Sequence, residues 1–203
     1  MRIVCLDLEG VLVPEIWISF AEKTGIEELR LTTRDVPDYD VLMKRRLAIL
    51  KEHKLTLKDI QRVIGALSPL EGALDFLNSL RHKTQVIILS DTFTEFAKPL
   101  MEKLGWPSIF CNSLVVDTND MIIDYTLRQQ DGKRKAVEAL QGIGFTVFAG
   151  GDSYNDLSMI KTADSGALFR APQRIITEEP DLPSAEGYAE FEHIIDQFLE
   201  NRT

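Results

Sequence analysis

The chain has little of what staples small scaffolds or marks membrane and nucleic-acid proteins. It holds two cysteines, Cys5 and Cys111, each inside an apolar, strand-like run. Two thiols so placed do not form a disulfide framework, and buried free thiols in a reducing cytoplasm are the expectation. A chain of 203 residues needs no such staple, since at that length about 70% of the unfolded surface is buried on folding. No apolar run approaches the roughly 20 residues of a spanning helix. Met1 leads straight into a strand-like run over 2–8, without a basic n-region or long apolar h-region, so no signal peptide is expected. Positive charge is scarce: 23 Lys and Arg face 32 Asp and Glu, a net charge of -9. Grooves for nucleic acid and patches for anionic membranes require clustered cations, so neither partner is expected. A small phosphorylated ligand held by one Lys and one Arg remains compatible. There is no internal repeat and no low-complexity segment.

What is present is an alternation. Ile3-Val4-Cys5-Leu6, Val86-Ile87-Ile88-Leu89 and Phe145-Thr146-Val147-Phe148-Ala149 are short apolar runs of the kind buried on both faces of a sheet, and Ser165-Gly166-Ala167-Leu168-Phe169 is a weaker fourth. Helical stripes separate them, such as Leu74, Leu77 and Leu80, or Phe93, Phe96, Leu100 and Leu104. The pattern predicts an α/β fold, a doubly wound Rossmann-like parallel sheet. A hairpin is expected around Thr118-Asn119-Asp120, and Thr56 with Asp59 reads as a capping box. The first two strands lie too far apart for one crossover, which takes about 30 residues. The surplus reads as helices over 16–23, 39–52 and 57–67. The expected organisation is a phosphotransfer core over 1–13 and 70–203, with a small inserted helical cap over 14–69 above the C-terminal sheet edge, where α/β sheets bind ligands.

Several strand ends carry reactive groups. Asp7-Leu8-Glu9 places two carboxylates on one side of the chain. They suit a nucleophile or metal ligand and a proton donor, and equally a solvated turn. Gly150-Gly151-Asp152-Ser153-Tyr154-Asn155-Asp156 pairs a tight turn with two carboxylates four apart. That suits Mg²⁺, or simply a helix cap at Asp152. Ser90 could hold a phosphoryl oxygen or cap a helix. Lys133, in Asp131-Gly132-Lys133-Arg134-Lys135, has the look of a solvated basic turn.

Taken in order, Asp7, Ser90, Lys133 and Gly-Asp-x-x-x-Asp at 151–156 resemble the motifs of the haloacid dehalogenase superfamily. Arg46-Leu47-Ala48-Ile49-Leu50-Lys51, Ser68-Pro69-Leu70-Glu71-Gly72-Ala73 and Gly151-Asp152-Ser153-Tyr154-Asn155-Asp156-Leu157 further resemble its phosphoserine phosphatases. The likeness runs from Arg2 to about Pro172. It implies that Asp7 attacks phosphorus and that Glu9 protonates the leaving alkoxide and later activates the attacking water. It implies Mg²⁺ on the Asp7 side chain, the Glu9 carbonyl and Asp152, with Asp156 supporting. Ser90, Lys133 and Asn155 would face phosphate, Glu15 the substrate amine and Arg46 its carboxylate.

Three positions depart from that pattern. Glu9 stands where Asp is usual, Asp91-Thr92 where two glycines are usual, and Ser153-Tyr154 where small residues are usual. The combination resembles bifunctional members that also pass phosphate to homoserine. Asp91 adds a carboxylate near an amine-bearing ligand and is counted with the substrate-binding residues. The same residues leave open a phosphatase of a sugar phosphate or nucleotide, against which Glu15 and Arg46 argue. A receiver domain would share an Asp, a Ser and a Lys, but not the insertion, Glu9 or the late Asp pair. Trp17, Trp106 and Phe110 suit either core or an interface, and a homodimer is the assembly entertained. The tail from Gln173, with an amphipathic stretch near 191–199, suggests no chemistry.

Overall fold

The computed structural model describes residues 1–32, 35–36 and 38–201. Among the described residues seven strands form one sheet: β1 (Arg2–Leu6), β2 (Gln85–Phe93), β3 (Ser108–Val116), β4 (Ile122–Thr126), β5 (Thr146–Gly151), β6 (Ser165–Phe169) and β7 (Ser184–Ala185). Their order is β4-β3-β2-β1-β5-β6-β7. All neighbours are parallel except β3 and β4, which form the hairpin. The helices are α1 (Ile16–Thr24), α2 (Tyr39–Glu52), α3 (Leu57–Ala66), α4 (Ala73–Lys83), α5 (Thr94–Met101), α6 (Gly132–Gly142), α7 (Leu157–Thr162), α8 (Gln173–Glu178) and α9 (Tyr188–Glu200).

The continuous apolar runs have a direct physical reason. Side chains along β1 alternate between two dry layers. Val4 and Leu6 join Phe148, Phe169, Phe191 and Phe198 on the face covered by α4 and α9. Ile3 and Cys5 join Val147, Ala149, Val137 and Ile160 on the face covered by α6 and α7. Each buried side chain of this size contributes about 1.5–3 kcal/mol. Cys5 is fully buried as expected, but Cys111 is only half-buried, because β3 lies near the sheet edge.

The chain adds β2 and β3 on one side of β1, then returns to place β5 and β6 on the other. That reversal opens a crevice at the C-terminal ends of β1 and β5. The segments after those strands begin at Asp7 and Asp152. Between β1 and α4 lie α1, α2 and α3, and the Thr56–Asp59 capping box opens α3. Leu57 and Lys58 also donate their N–H groups to the Asp120 carbonyl and carboxylate at 2.9 Å each, tying α3 to the hairpin turn. Residues 33, 34 and 37 of this stretch, and 202–203 of the tail, lie outside the described residues. Among the described residues no helix is long and apolar enough to cross a membrane.

Three local readings change. β2 does not end before Ser90 but runs on to Phe93. Leu89 pairs with Phe110 and Phe93 with Asn112, so four steps on β2 match two on β3. The surplus throws Ser90, Asp91 and Thr92 out of the ladder toward the crevice. The cap after β5 comes from Ser153, whose hydroxyl and N–H meet Asp156, rather than from Asp152. Trp17 is buried in the core, whereas Trp106 is exposed.

Candidate active site

Asp7, Glu9, Glu15, Arg46, Ser90, Asp91, Lys133, Asp152 and Asn155 all line one cavity of about 100 Å³ at the crevice. Asp156 sits directly beneath it, fully buried. The turn after β1 is built by close approach. Gly10 has φ +76°, and a Cβ there would lie 2.4 Å from an Asp152 carboxylate oxygen. Only glycine therefore lets Asp152 rest against this backbone. Gly151 makes the same allowance for Asp156, whose side chain would lie 2.3 Å from a Cβ.

Lys133, in the first turn of α6, is 4% exposed. It is not the solvated turn that its neighbours suggest, because its ammonium points inward. Nζ lies 2.7 Å from Asp156 Oδ1, 3.0 Å from Asp7 Oδ1 and 3.7 Å from Asp91 Oδ2. Burial opposes its charge, but Asp156, Asp7 and Asp91 together hold its pKa well above the ordinary value. Asp156 Oδ2 accepts the Asp152 and Ser153 N–H groups at 3.0 and 3.1 Å. Asp7 is pushed well above the carboxylate range by burial and by Asp156 and Asp152, with Lys133 opposing. Asp7 Oδ1 also accepts the Leu8 N–H at 2.7 Å.

Asp7, Asp152 and Asp156 bring carboxylate oxygens within 4.8 Å of one another, all buried. One lysine cannot neutralise three such charges, and a hard, all-oxygen set is the kind Mg²⁺ takes. Asp156 spends its oxygens on Lys133 and two backbone donors, and Asp7 and Asp152 are the members of the cluster that line the cavity itself. The residues therefore fit the ion.

The far side of the cavity is built by the inserted helices. Glu9, one methylene longer than Asp, reaches the start of α1, where the Ile16 N–H donates to its Oε2 at 2.9 Å. Burial and the nearby Glu15 raise its pKa to about 7, opposed by Ile16, the Thr92 hydroxyl and Arg46. A carboxyl poised there can both give and take a proton near neutrality. Arg46, on α2, is 6% exposed and lies over the Trp17 ring with its guanidinium carbon 4.4 Å from the centroid. It donates to the Leu31 carbonyl at 2.8 Å, and its Nε is buried without a partner. Burial lowers its pKa to about 10, with Glu9, Tyr39 and Glu15 opposing.

Sequence reasoning missed Trp17 and Tyr39 as site residues. From the sequence alone Trp17 suits either core or an interface. The Tyr39 hydroxyl bonds the Asp91 carbonyl at 3.1 Å across 52 residues of sequence, and no local spacing announces that.

A model of haloacid dehalogenase-like hydrolases matches residues 1–164. A phosphoserine phosphatase of Pseudomonas syringae pv. tomato is 57% identical over 190 residues, covering 94% of this chain and 80% of its own. Phosphoserine phosphatase ThrH of Pseudomonas aeruginosa is 57% identical over 188 residues, covering 93% of this chain and 92% of its own. Among solved structures, a phosphoserine phosphatase in apo form superposes with TM-score 0.77 at 24% identity, over 96% of this chain and 98% of that one. A phospho-aspartyl intermediate analogue of phosphoserine phosphatase gives 0.76 at 23%, over 97% and 98%. At those identities the structural likeness bears on the fold alone.

Proposed function

Since the chain belongs to the haloacid dehalogenase-like hydrolase family, we propose that it is a Mg²⁺-dependent phosphoserine phosphatase working through an aspartyl phosphate, and that the same intermediate passes its phosphoryl group to homoserine. In this reading the core over 1–13 and 70–203 carries the phosphate chemistry and the cap over 14–69 reads the rest of the substrate. Both relatives at 57% identity bear the phosphoserine phosphatase name. The observation that carries the substrate is Arg46. A buried guanidinium with no carboxylate partner among the described residues, stacked on Trp17 in the cavity that holds Asp7, is suited to a ligand carboxylate. Glu15, in the same cavity, takes the ammonium.

An Asp7 carboxylate oxygen attacks phosphorus as the bond to the serine oxygen breaks. Glu9 donates its proton to that oxygen. Ser90, Lys133 and Asn155 hold phosphoryl oxygens, and Asp156 keeps Lys133 aimed. Mg²⁺, held by Asp7, the Glu9 carbonyl and Asp152, would offset the charge of phosphate among carboxylates. In the second half Glu9 takes a proton from the attacking hydroxyl, returning free Asp7. Serine and homoserine differ by one methylene, worth only about 1–3 kcal/mol in a pocket. Water attacking the intermediate gives inorganic phosphate, and the homoserine hydroxyl attacking in its place gives O-phosphohomoserine without ATP, the Asp7–phosphorus bond breaking in both cases. Hydrolysis of a sugar phosphate would leave Glu15 and Arg46 without work.

The test is labelled phosphoserine with Mg²⁺, with and without excess homoserine, followed by product identification. Phosphate and serine alone would remove the transferase half of the reading. Full turnover after removal of divalent ions would remove the metal. No turnover of phosphoserine would remove the substrate.

A further inference from the structure

We infer that Asp91 is a tethered competitor of phosphate, occupying the groups that would hold the phosphoryl oxygens and so speeding release of inorganic phosphate. The inference rests on the reading above, in which Lys133 and Asn155 face phosphate. Asp91 Oδ2 accepts from Asn155 Nδ2 at 3.0 Å and lies 3.7 Å from Lys133 Nζ. Those are two of the three side chains assigned to phosphate.

Of the three carboxylates on Lys133, two cannot move. Asp7 and Asp156 are buried and bonded to neighbouring backbone. Asp91 is the farthest, and its side chain is 44% exposed. Its backbone, by contrast, is pinned, because its carbonyl accepts the Tyr39 hydroxyl at 3.1 Å and the Asn112 amide at 3.0 Å. Only the side chain is left to turn.

Room for that turn exists. A second cavity of about 520 Å³ adjoins the first and shares Tyr39, Asp91, Lys133 and Asn155 with it. Its other walls carry polar groups such as Gln129, Gln130 and Ser158. An incoming phosphoryl group displaces the Asp91 carboxylate into this polar-walled space. When hydrolysis has left inorganic phosphate in the site, the carboxylate returns and takes back Lys133 and Asn155. No bond is made or broken in Asp91 at any point. Two glycines here, the usual pattern, would supply no such competitor.

The experiment measures inorganic phosphate, with Mg²⁺ held constant, both as an inhibitor of phosphoserine turnover and as a calorimetric titrant. Wild type, Asp91→Asn and Asp91→Glu are compared. Asp91→Asn keeps the shape and removes the charge, and should bind phosphate on the order of tenfold more tightly, as expected for one unit charge removed a few ångströms away. Asp91→Glu should stay near wild type. Damage to folding would weaken phosphate, the opposite direction. Equal or weaker binding by Asp91→Asn overturns the competitor while leaving the site intact. Phosphate that fails to compete with phosphoserine in wild type overturns the underlying site.

Discussion

Lys133 and Arg46 are both buried cations on the rim of one cavity, and they are satisfied in opposite ways. Lys133 is surrounded by Asp7, Asp156 and Asp91, within 3.7 Å. Arg46 has an aromatic face, a carbonyl and a thioether sulfur around it. Lys133 thus has carboxylates in direct contact, whereas Arg46, on the inserted helices, feels Glu9 and Glu15 nearby but has no carboxylate bonded to it among the described residues. A buried cation with its counter-charges built in belongs to the protein's own stability. One without them costs stability and suits a ligand that brings the missing charge.

The comparison is broken most severely through Asp7. Asp7→Asn should lower phosphoserine turnover by at least about a thousandfold while the far-UV spectrum and a cooperative unfolding transition persist, because the nucleophile is replaced by a side chain of the same shape. Substantial activity in a clean preparation would end the covalent mechanism. Lys133→Met tests the cation in contact with carboxylates. It leaves two buried carboxylates uncompensated, and urea denaturation should show a loss of about 3–5 kcal/mol besides lost activity.

Arg46→Ala tests the cation without a bonded carboxylate. It should reduce kcat/KM for phosphoserine about 10- to 150-fold, matching roughly 1.5–3 kcal/mol for a charge-assisted contact, and harm phosphoethanolamine much less. Its urea midpoint should fall far less than that of Lys133→Met. Equal losses on the two substrates would mean that Arg46 does not read a carboxylate. The smallest effect is expected from Trp17→Leu, which keeps apolar bulk but removes the ring under the guanidinium. A cation–π contact of about 0.5–2 kcal/mol corresponds to a 2- to 30-fold rise in KM for phosphoserine.

Much of this molecule is legible from the chain alone, for a reason of geometry. A strand buried on both faces is apolar at nearly every position, so β1, the first half of β2, and most of β5 and β6 stand out as apolar runs. The groups with chemistry follow those runs directly, at Asp7, Ser90 and Asp152, so the crevice is announced by adjacency in sequence. Helix spacing does the same for α2 and the capping box of α3. What depends on contacts between distant segments is not written locally. The bulge in β2 that exposes Ser90, Asp91 and Thr92 exists only because β3 pairs with it two residues short. That Lys133 is inward and neutralised, while the adjoining Arg134 and Lys135 pair at the surface, follows from where α6 docks on the sheet. The stacking of Arg46 on Trp17 and the Asp91–Asn155 bond join residues 29 and 64 positions apart. Composition and periodicity carry no information at such separations; only packing brings those side chains together.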